Sequence, residues 1–527
     1  MPRMTHGSTV SLEQVQDTTN AINDLNNAMA MPVTFAPPRL LTEFGYMFED
    51  LQSDPQNLLL PGSDTVANLI RLGESMRDMH PFDEDGNNRN IPTAYVFLGQ
   101  FIDHDITLET MSDTFGVLDD STVLSSFEKV LQRIMNMRSA TLDLDSVYKV
   151  GSSELSGPRM RIGQVSLEGH PVPGKDGMND LPRAPRDPIP RFDRFALIGD
   201  FRNDENLVIS QLHLAFLRAH NAIVNLGNTR QGAERILRQL HQWVAIHDFL
   251  RRVCGDAVVD GVLTNGNRFF IPSDEEFFMP LEFSVAVYRF GHSMVPAVYD
   301  YNVNFGPNGI QGPGTLEELF TFSALMGQLG VGGGFDTLPE NHVIQWENFL
   351  NSRQNPTRKI DTRLVEPLFH LRDEVGGELA GVAARLAVRN LLRGYKLRIP
   401  TGQAVAQSMG MPALNPADLI SLILANADRV QMIASEKDAL SNAGFDMRTP
   451  LWFYVLAEAE LLEGGARLGP VGGTIVAEVL IGLAQRSADS IFDLGTGWNP
   501  SLLSGQLEQE INPNFELIDL LKMAGVL

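Results

Sequence analysis

The sequence predicts a mainly α-helical protein built around one large domain with a few short strands. Apolar residues recur at helical spacing in one stretch after another, whereas strand candidates are few and short. Of the 527 residues, 43% are hydrophobic and 20% are charged, a balance that suits a chain with a sizeable buried core. These observations define the fold class before any functional residue is considered.

The predicted helices share an amphipathic pattern, and the first of them opens with the capping-box spacing of Ser11 and Gln14. They cover residues 11–28, 63–78, 93–107, 121–137, 204–225, 232–253, 315–328, 378–393, 416–427, 450–462 and 473–484. Strand candidates are MRIGQVSLEG at 160–169 and NRFFIP at 267–272.

The domain organisation follows from the same pattern. Residues 1–40 are predicted to form an N-terminal arm and residues 41–527 a single domain. A Pro-rich, charged stretch within 151–200 is too long for an ordinary connection. We interpret it as a functional segment or a surface excursion, because it does not resemble a domain linker.

Charge and cysteine content exclude several classes of function. The chain has 41 Lys and Arg against 65 Asp and Glu, a net charge of -24, which repels nucleic acid and anionic membrane surfaces. Cys254 is the single cysteine, so neither an intrachain disulfide nor a cysteine cluster for zinc or iron–sulfur can form.

Targeting signals are sparse. The N-terminal residues MPRMTHGSTVSLEQ contain no apolar signal-peptide core, and no run approaches the roughly 18 apolar residues of a membrane span. We therefore expect no membrane span and a cytoplasmic location by default, with a trimmed signal or another secretion route left open. The oligomeric state is not predicted.

The stretch GQFIDHDIT, residues 99–107, carries the first functional signal. On a helix, Gln100 and His104 share a face, while Asp103 and Asp105 lie about 100° to either side of His104. The two carboxylates can therefore serve different ligands. For this motif alone, a core histidine with two rim aspartates is the alternative.

A second stretch, GDFRNDENLVISQLHLAFLRAHN at 199–221, contains Asn203 and Asp204 as natural helix caps. Glu205 is then expected in the first helical turn. Arg202 is expected just outside the helix.

Two further stretches contribute one histidine and one amide. VAVYRFGHSMVP at 285–296 holds Arg289 and His292 in an apolar run, and AVRNLLRGYKLRIPTGQAVA at 387–406 places Asn390 on a helix predicted to end at Gly394. Taken alone, Asn390 is better explained as a helix-surface amide.

Together, the motifs GQxxDHD, GDxRxxE with a downstream RxHN, RxGH and N-x-x-R occur in order between about residues 95 and 400. In this they resemble the animal-type haem peroxidases of the peroxidase–cyclooxygenase superfamily, the myeloperoxidase- and lactoperoxidase-like enzymes. The continuation RGYKLRIP, in place of the RDHGLP usual in the mammalian enzymes, suggests a bacterial-style member.

The resemblance implies a role for each matching residue. His104 matches the distal base that moves a proton between the peroxide oxygens, Arg202 the cation that stabilises the developing charge, and Gln100 the glutamine over the iron. His292 matches the proximal iron ligand, and Asn390 matches the asparagine that accepts its other ring N–H.

The resemblance also implies how the cofactor, haem b, is held. Asp103 and Glu205 match the carboxylates that form esters with haem methyl groups, and Arg289 matches an arginine near the haem carboxylates. Asn206 stands where some members have a methionine that forms a third link. We therefore expect at most two covalent haem bonds.

A Ca²⁺ ion is the second implied cofactor. Asp105 is expected to face a loop in which oxygen-bearing side chains alternate, and in an extended loop alternation directs them to one side. The predicted ligands are Asp105, Ser139, Thr141, Asp143 and Asp145. Asp145 departs from the family's Ser. An EF-hand starting at Asp143 is rejected, because Tyr148 occupies the position that needs Gly.

Two other histidine spacings suggest metal binding, His213 with His220 and His241 with His247. The first pair is too widely spaced for joint ligation on a straight helix. We interpret all four as packing residues.

The implied function is reduction of hydrogen peroxide and oxidation of small donors, halide, thiocyanate or phenolic, through an oxo-ferryl intermediate, with a role in the response to oxidative stress. One alternative is a fatty-acid dioxygenase of the same superfamily. Those enzymes need a tyrosine commonly three residues before the proximal histidine, where this chain has Arg289, with Tyr288 one position away. A non-catalytic haem or adhesion protein is the other alternative.

Overall fold

The computed structural model describes residues 10–11, 42–111, 124–148, 157–186, 193–271, 277–307, 309–321, 334–371, 381–424 and 438–527. Helices dominate these residues, and the predicted mainly α class is confirmed. The predicted helix at 11–28 and most of the arm at 1–40 lie outside the described residues.

The α-helices differ widely in length, and the longest two form part of the core. They are Ser63–Ser75, Ala94–Ile106, Phe127–Arg133, Asp145–Tyr148, Leu207–Asn225, Arg230–Trp243, Leu250–Cys254, Asp256–Asn265, Leu316–Thr321, Trp346–Phe349, Leu386–Lys396, Gly402–Ser408, Pro416–Leu424, Leu451–Glu463, Pro470–Gln485, Ser504–Leu507 and Leu517–Met523. Ala94–Ile106 is called the distal helix below.

Shorter helical segments of other types connect them. The 3₁₀ segments are Glu49–Ser53, Pro55–Asn57, Glu84–Gly86, Phe201–Asp204, Val287–Met294, Glu340–His342, Glu366–Phe369, Gly381–Ala384, Ile491–Leu494 and Pro500–Leu503. The π-helical segments are Val244–Phe249, Glu282–Ala286 and Asp438–Asn442. Val287–Met294, which carries His292, is called the proximal segment below.

The strands are short, and most belong to one five-stranded sheet. Its order is Val10–Ser11, Glu109–Met111, Ile134–Asn136, Thr42–Gly45 and Phe278–Pro280. The two outermost pairings are parallel and the two inner ones antiparallel. Glu109–Met111 begins three residues after the distal helix ends, so this sheet anchors the end of that helix. Two-stranded pairs join Asn87–Pro92 to Pro356–Arg358 and Val298–Tyr299 to Gly314–Thr315.

The distal helix is fixed by apolar packing on the long helix Leu207–Asn225. Phe101 stacks on Phe216 with ring centroids 4.3 Å apart, and both side chains are fully buried. By length and composition, Leu207–Asn225 is apolar enough to cross a membrane. However, 78% of its most apolar 18-residue stretch is buried inside the protein. The same composition is typical of a helix in a folded core.

Several predicted boundaries were wrong, each for a local reason. The predicted helix 232–253 is two α-helices joined by the π segment Val244–Phe249. Thr229 caps its start through Gly232 N at 3.1 Å, and Gly255, with φ 84°, lies where it ends. The predicted helix 121–137 stops at Arg133, because residues 134–136 join the sheet.

The two strand candidates were also wrong. Within 160–169 only isolated bridges form, from Gly163 to Asp180 and from Ser166 to Pro339. Residues 267–271 form no strand, and residue 272 lies outside the described residues. Both segments are instead tied to the body by side-chain contacts, such as Glu478 accepting from the backbone N–H groups of Phe269 and Phe270 at 2.7 and 3.0 Å.

Candidate active site

A cavity open to solvent lies between the distal helix and the proximal segment. Most of its lining side chains are apolar, and its polar lining includes seven of the predicted site residues. These are Gln100, Asp103, His104, Arg202, Glu205, Arg289 and His292.

His104 reaches the cavity from the last turn of the distal helix. Its side chain is buried, and its Nδ1 donates to Asn203 Oδ1 at 2.8 Å. Burial and the nearby charge of Arg202 lower the pKa of His104 below its ordinary value. The imidazole is therefore neutral near pH 7, the form in which it can accept a proton.

Arg202 lies beside His104 and is held by a buried carboxylate. Its Nε and Nη2 donate to the two oxygens of Asp200 at 3.0 and 2.6 Å, and Nη2 also donates to the backbone carbonyls of His104 and Thr107 at 2.9 and 2.6 Å. Arg138 donates to the same Asp200 from the other side at 2.5 Å. Burial alone would raise the pKa of Asp200, but the two arginines hold it well below its usual range.

Gln100 and Glu205 meet inside the cavity. Gln100 Nε2 donates to Glu205 Oε1, and Asn206 Nδ2 donates to Gln100 Oε1 at 3.3 Å. Gln100 and His104 are one helical turn apart on the distal helix, which agrees with the predicted shared face.

The predicted caps and the predicted position of Glu205 were wrong. The long helix begins at Leu207, and Asn206 caps it by accepting from Ile209 N at 3.0 Å. Asn203 and Asp204 belong to the preceding 3₁₀ segment, where Asp204 accepts from Arg183 at 2.8 Å. Glu205 lies between the two helices. It is the C-cap of the 3₁₀ segment, with its N–H donating to Arg202 O at 3.2 Å, and its side chain lines the cavity.

The two aspartates beside His104 point to different surroundings, as predicted. Asp103 lines the cavity, where it accepts from Thr107 Oγ1 at 3.1 Å and lies 3.5 Å from Arg289 Nη1. Asp105 points into the protein and is fully buried.

The proximal segment presents His292 to the same cavity. Asn390, 98 residues away in the chain, places its Nδ2 2.8 Å from His292 Nδ1. In this orientation the amide donates, which is the reverse of the predicted direction. A half-turn of the amide about Cβ–Cγ would place Oδ1 there and leave His292 Nε2 unprotonated for a metal. The helix carrying Asn390 ends at Lys396 rather than at Gly394.

Arg289 and Arg393 line the cavity, and the buried Arg389 lies near enough to Arg289 for their charges to interact. Arg289 donates from Nε to Ser284 O at 2.9 Å, and Arg393 lines the cavity in an ion pair with Glu109. Burial lowers the pKa of Arg389 to about 10, with a further contribution from the charge of Arg289. This group of cations suits the carboxylates of a bound cofactor.

The predicted calcium ligands are brought together. Asp105 accepts from Leu144 N and Ser146 N, both at 3.0 Å, which fixes the loop against the distal helix. Ser139 Oγ and Thr141 Oγ1 lie 2.6 Å apart, Thr141 donates to Asp143 at 2.7 Å, and Ser139 donates to Asp145 at 2.8 Å.

The shape of this loop differs from the extended one that was predicted. Ala140 and Leu144 have φ of 51° and 56°, so the chain curls twice. The four side chains converge because of these turns rather than because of simple alternation. Among the described residues, no group of three or more His, Cys, Asp or Glu forms a recognisable metal site.

The four histidines of the two other spacings have different roles. His220 contacts Tyr148 Oη at 3.0 Å, and His247 stacks on Trp243 with centroids 3.8 Å apart. His241 packs against Phe101 and Phe216. His213 does more than pack, because its Nδ1 accepts from Asn203 at 2.9 Å.

Sequence reasoning missed several residues of the site. Asp200 and Arg393 are part of the quoted motifs but were assigned no role, and Asn203 was interpreted only as a cap. The available signal was their place inside GDxRxxE and N-x-x-R. Tyr288 also lines the cavity and donates to Gly99 O at 3.2 Å.

Comparison with known proteins agrees with this site. The animal haem peroxidase family matches residues 121–380. The chain is 28% identical over 396 residues to a peroxidase-like protein of Margaritifera margaritifera, covering 65% of this chain and 47% of that protein. It is 24% identical over 419 residues to thyroid peroxidase of Sus scrofa, covering 77% of this chain and 40% of that protein.

The chain thus spans less than half the length of these curated relatives. Among solved structures, a fatty acid alpha-dioxygenase of Oryza sativa superposes with a TM-score of 0.50 at 12% identity, covering 99% of this chain and 84% of that chain. At this identity the likeness concerns the fold.

The animal haem peroxidase family model covers just under half of the chain, and the curated relatives are a peroxidase-like protein and thyroid peroxidase. The chain is therefore similar to animal haem peroxidases, and its fold is mainly helical.

Proposed function

We propose that this protein is a haem peroxidase that reduces hydrogen peroxide and oxidises small donors. The proposal rests on one cavity that brings distant parts of the chain together. His104 and Arg202 line it from the N-terminal half of the sequence, and His292 lines it from the C-terminal half. Haem, when bound there, would supply the iron at which peroxide is reduced and donors are oxidised.

The chain's own groups suit the proton movement that peroxide cleavage needs. His104 is neutral and buried, so its Nε2 would take the proton from one peroxide oxygen and return it to the other, which leaves as water. Arg202, fixed by Asp200, would stabilise the negative charge that develops between the oxygens. Gln100 would orient water or a halide.

The cavity also contains groups suited to hold haem. His292 would ligate the iron through Nε2, with Asn390 accepting from its Nδ1 after the amide rotation described above. Arg289 would pair with a haem carboxylate. Asp103 and Glu205, both lining the cavity, would form the two ester bonds, each replacing a C–H bond of a haem methyl group in a two-electron oxidation for which hydrogen peroxide is the oxidant.

We also propose that the loop after the distal helix binds Ca²⁺. The buried side chains of Asp143 and Asp145 contact the hydroxyls of Thr141 and Ser139, and the charge of Asp145 acts on the buried Asp105. Ca²⁺ prefers such oxygen donors, and a bound cation would offset the mutual repulsion of the carboxylates. Through Asp105 this ion would stabilise the helix that carries His104.

The proposed partners are hydrogen peroxide and small donors such as halides, thiocyanate or phenols. The apolar lining of the cavity suits neutral aromatic donors, and the net charge of -24 disfavours nucleic acid.

A fatty-acid dioxygenase is the second candidate, because Tyr288 lines the cavity close to His292. Its hydroxyl, however, is engaged in a hydrogen bond to Gly99 O at 3.2 Å, and Arg289 occupies the position three residues before His292. These contacts favour the peroxidase.

One set of measurements tests the proposal. The protein reconstituted with hemin should show a haem absorption band that changes on adding hydrogen peroxide and returns when a chromogenic donor is added. His292→Ala should lose this band or shift it. Absence of any band in the native sequence would overturn the haem assignment. Oxygen uptake with a long-chain fatty acid and no peroxide would favour the dioxygenase.

A further inference from the structure

A buried amide connects His104 to a second histidine. His104 Nδ1 lies 2.8 Å from Asn203 Oδ1, and Asn203 Nδ2 lies 2.9 Å from His213 Nδ1. Asn203 and His213 are both 0% exposed. Asn203 and His213 are therefore shielded from water, and the amide of Asn203 has the two imidazoles as its side-chain partners.

The chemistry of the amide gives this chain of contacts a direction. An amide oxygen only accepts hydrogen bonds, and an amide nitrogen only donates them. With Oδ1 of Asn203 facing His104, the proton of His104 must be on Nδ1, which leaves its Nε2 unprotonated. His213, which accepts on Nδ1, must then carry its own proton on Nε2.

The local fold places this amide where it can act on the base. Arg202 and Asn203 are consecutive in the 3₁₀ segment Phe201–Asp204. Arg202 Nη2 reaches the backbone carbonyl of His104 at 2.9 Å, while Asn203 reaches its ring at 2.8 Å. One turn of chain thus presents the cation and the amide to the same histidine.

His213 packs against the distal helix. Its ring packs edge-on against Phe101, three residues before His104, with centroids 5.9 Å apart. Reversing the Asn203 amide would require both imidazoles to change tautomer together. The orientation of the amide and the proton positions of both rings are therefore coupled.

We propose that Asn203, oriented by His213, is a positioning residue that holds His104 in the tautomer whose Nε2 accepts a proton from peroxide. The inference rests on the proposed peroxidase function. The wrong tautomer would point an N–H at the substrate, and the base would be lost although the histidine remained.

The first test reads the tautomer directly and needs no turnover. The protein is labelled with ¹⁵N-histidine and reconstituted with gallium protoporphyrin, which is diamagnetic. Its ring nitrogens are then observed by NMR, with His104→Gln assigning the signals. We expect the proton of His104 on Nδ1 in the native sequence and its loss from Nδ1 in Asn203→Leu. A proton on Nε2 in the native sequence would overturn the proposal.

The second test uses the hemin-reconstituted protein and two ligands that must lose a proton, hydrogen cyanide and hydrogen peroxide. Asn203→Leu should slow both reactions about 10- to 100-fold, part of what a general base contributes. Asn203→Asp, whose carboxylate also accepts from Nδ1–H, should restore both rates to within about threefold. His213→Phe should slow them less than Asn203→Leu does.

The control is Asn302→Leu, which removes buried amide hydrogen bonds to Asn341 O and Val343 O far from this cavity. It should lower the melting temperature without changing the cyanide rate. Equal cyanide rates in the native sequence and Asn203→Leu would contradict the positioning role. If the native sequence binds cyanide normally but does not react with peroxide, the proposed function is contradicted. The positioning role of Asn203 is then judged by the NMR result alone.

Discussion

Replacing Asp200 with Asn should affect both stability and chemistry, because this carboxylate neutralises two arginines. Asp200 is 0% exposed and accepts from Arg138 Nη2 at 2.5 Å and from Arg202 Nε and Nη2 at 3.0 and 2.6 Å. An amide of the same shape would turn Nδ2 toward guanidinium donors and leave both cations without their anion.

Removing one partner of a buried ion pair typically costs about 3–5 kcal/mol. We expect a loss of that size in the free energy of unfolding of Asp200→Asn at pH 7, measured by denaturant titration. The rate of the peroxide reaction should fall about 10- to 100-fold, less than for a complete loss of one stabilising donor group. The fall is limited because Arg202 keeps its bonds to the carbonyls of His104 and Thr107.

The pH dependence of this effect has a defined sign. The arginines hold the pKa of Asp200 well below its ordinary value, so the carboxylate contributes stability above the unfolded pKa of about 3.9 and loses it as the pH falls. The stability difference between native protein and variant should therefore stay constant from about pH 8 to 5 and narrow only in stronger acid.

Asp180→Asn provides the matched control. Asp180 is equally buried and binds Arg183 at 2.8 and 2.9 Å, but it does not line the cavity. This variant should lose stability and keep its peroxide rate. The reasoning would be refuted if Asp200→Asn lost less than about 1 kcal/mol, or if both variants slowed the peroxide reaction equally.

Three further outcomes are expected. His104→Ala should retain haem absorption but slow the reaction with peroxide by about 10²- to 10⁴-fold in stopped-flow mixing, the contribution of a general base; an unchanged rate would remove His104 from that role. Denaturing extraction after peroxide treatment should leave haem on the chain, with less retained in Asp103→Ala or Glu205→Ala; complete recovery of free haem from the native protein would argue against ester bonds. Burial raises the pKa of Glu282 from near 4.5 to about 7, so the free energy of unfolding of the native protein should fall as the pH rises through this range. The fall should be roughly 3 kcal/mol relative to Glu282→Gln. An equal difference in unfolding free energy between the two proteins at pH 5 and pH 8 would contradict this.

Local periodicity determined what the sequence could predict. Gln100 and His104 are one helical turn apart, so their common face and the divergence of Asp103 and Asp105 follow from helix geometry alone. The helical class and the absence of disulfides were likewise predictable from composition and spacing.

Tertiary structure decided which distant side chains meet. Asn203 contacts His104 across 99 residues, and no motif predicted that pairing. Asn390 contacts His292 across 98 residues, a pairing that the family resemblance predicted but helix periodicity did not. The packing of Phe101 on Phe216 brings the 3₁₀ turn that carries Arg202 and Asn203 against the distal helix. Because the amide of Asn203 meets the ring of His104 only in the folded chain, the tertiary structure determines which nitrogen of His104 is free to act.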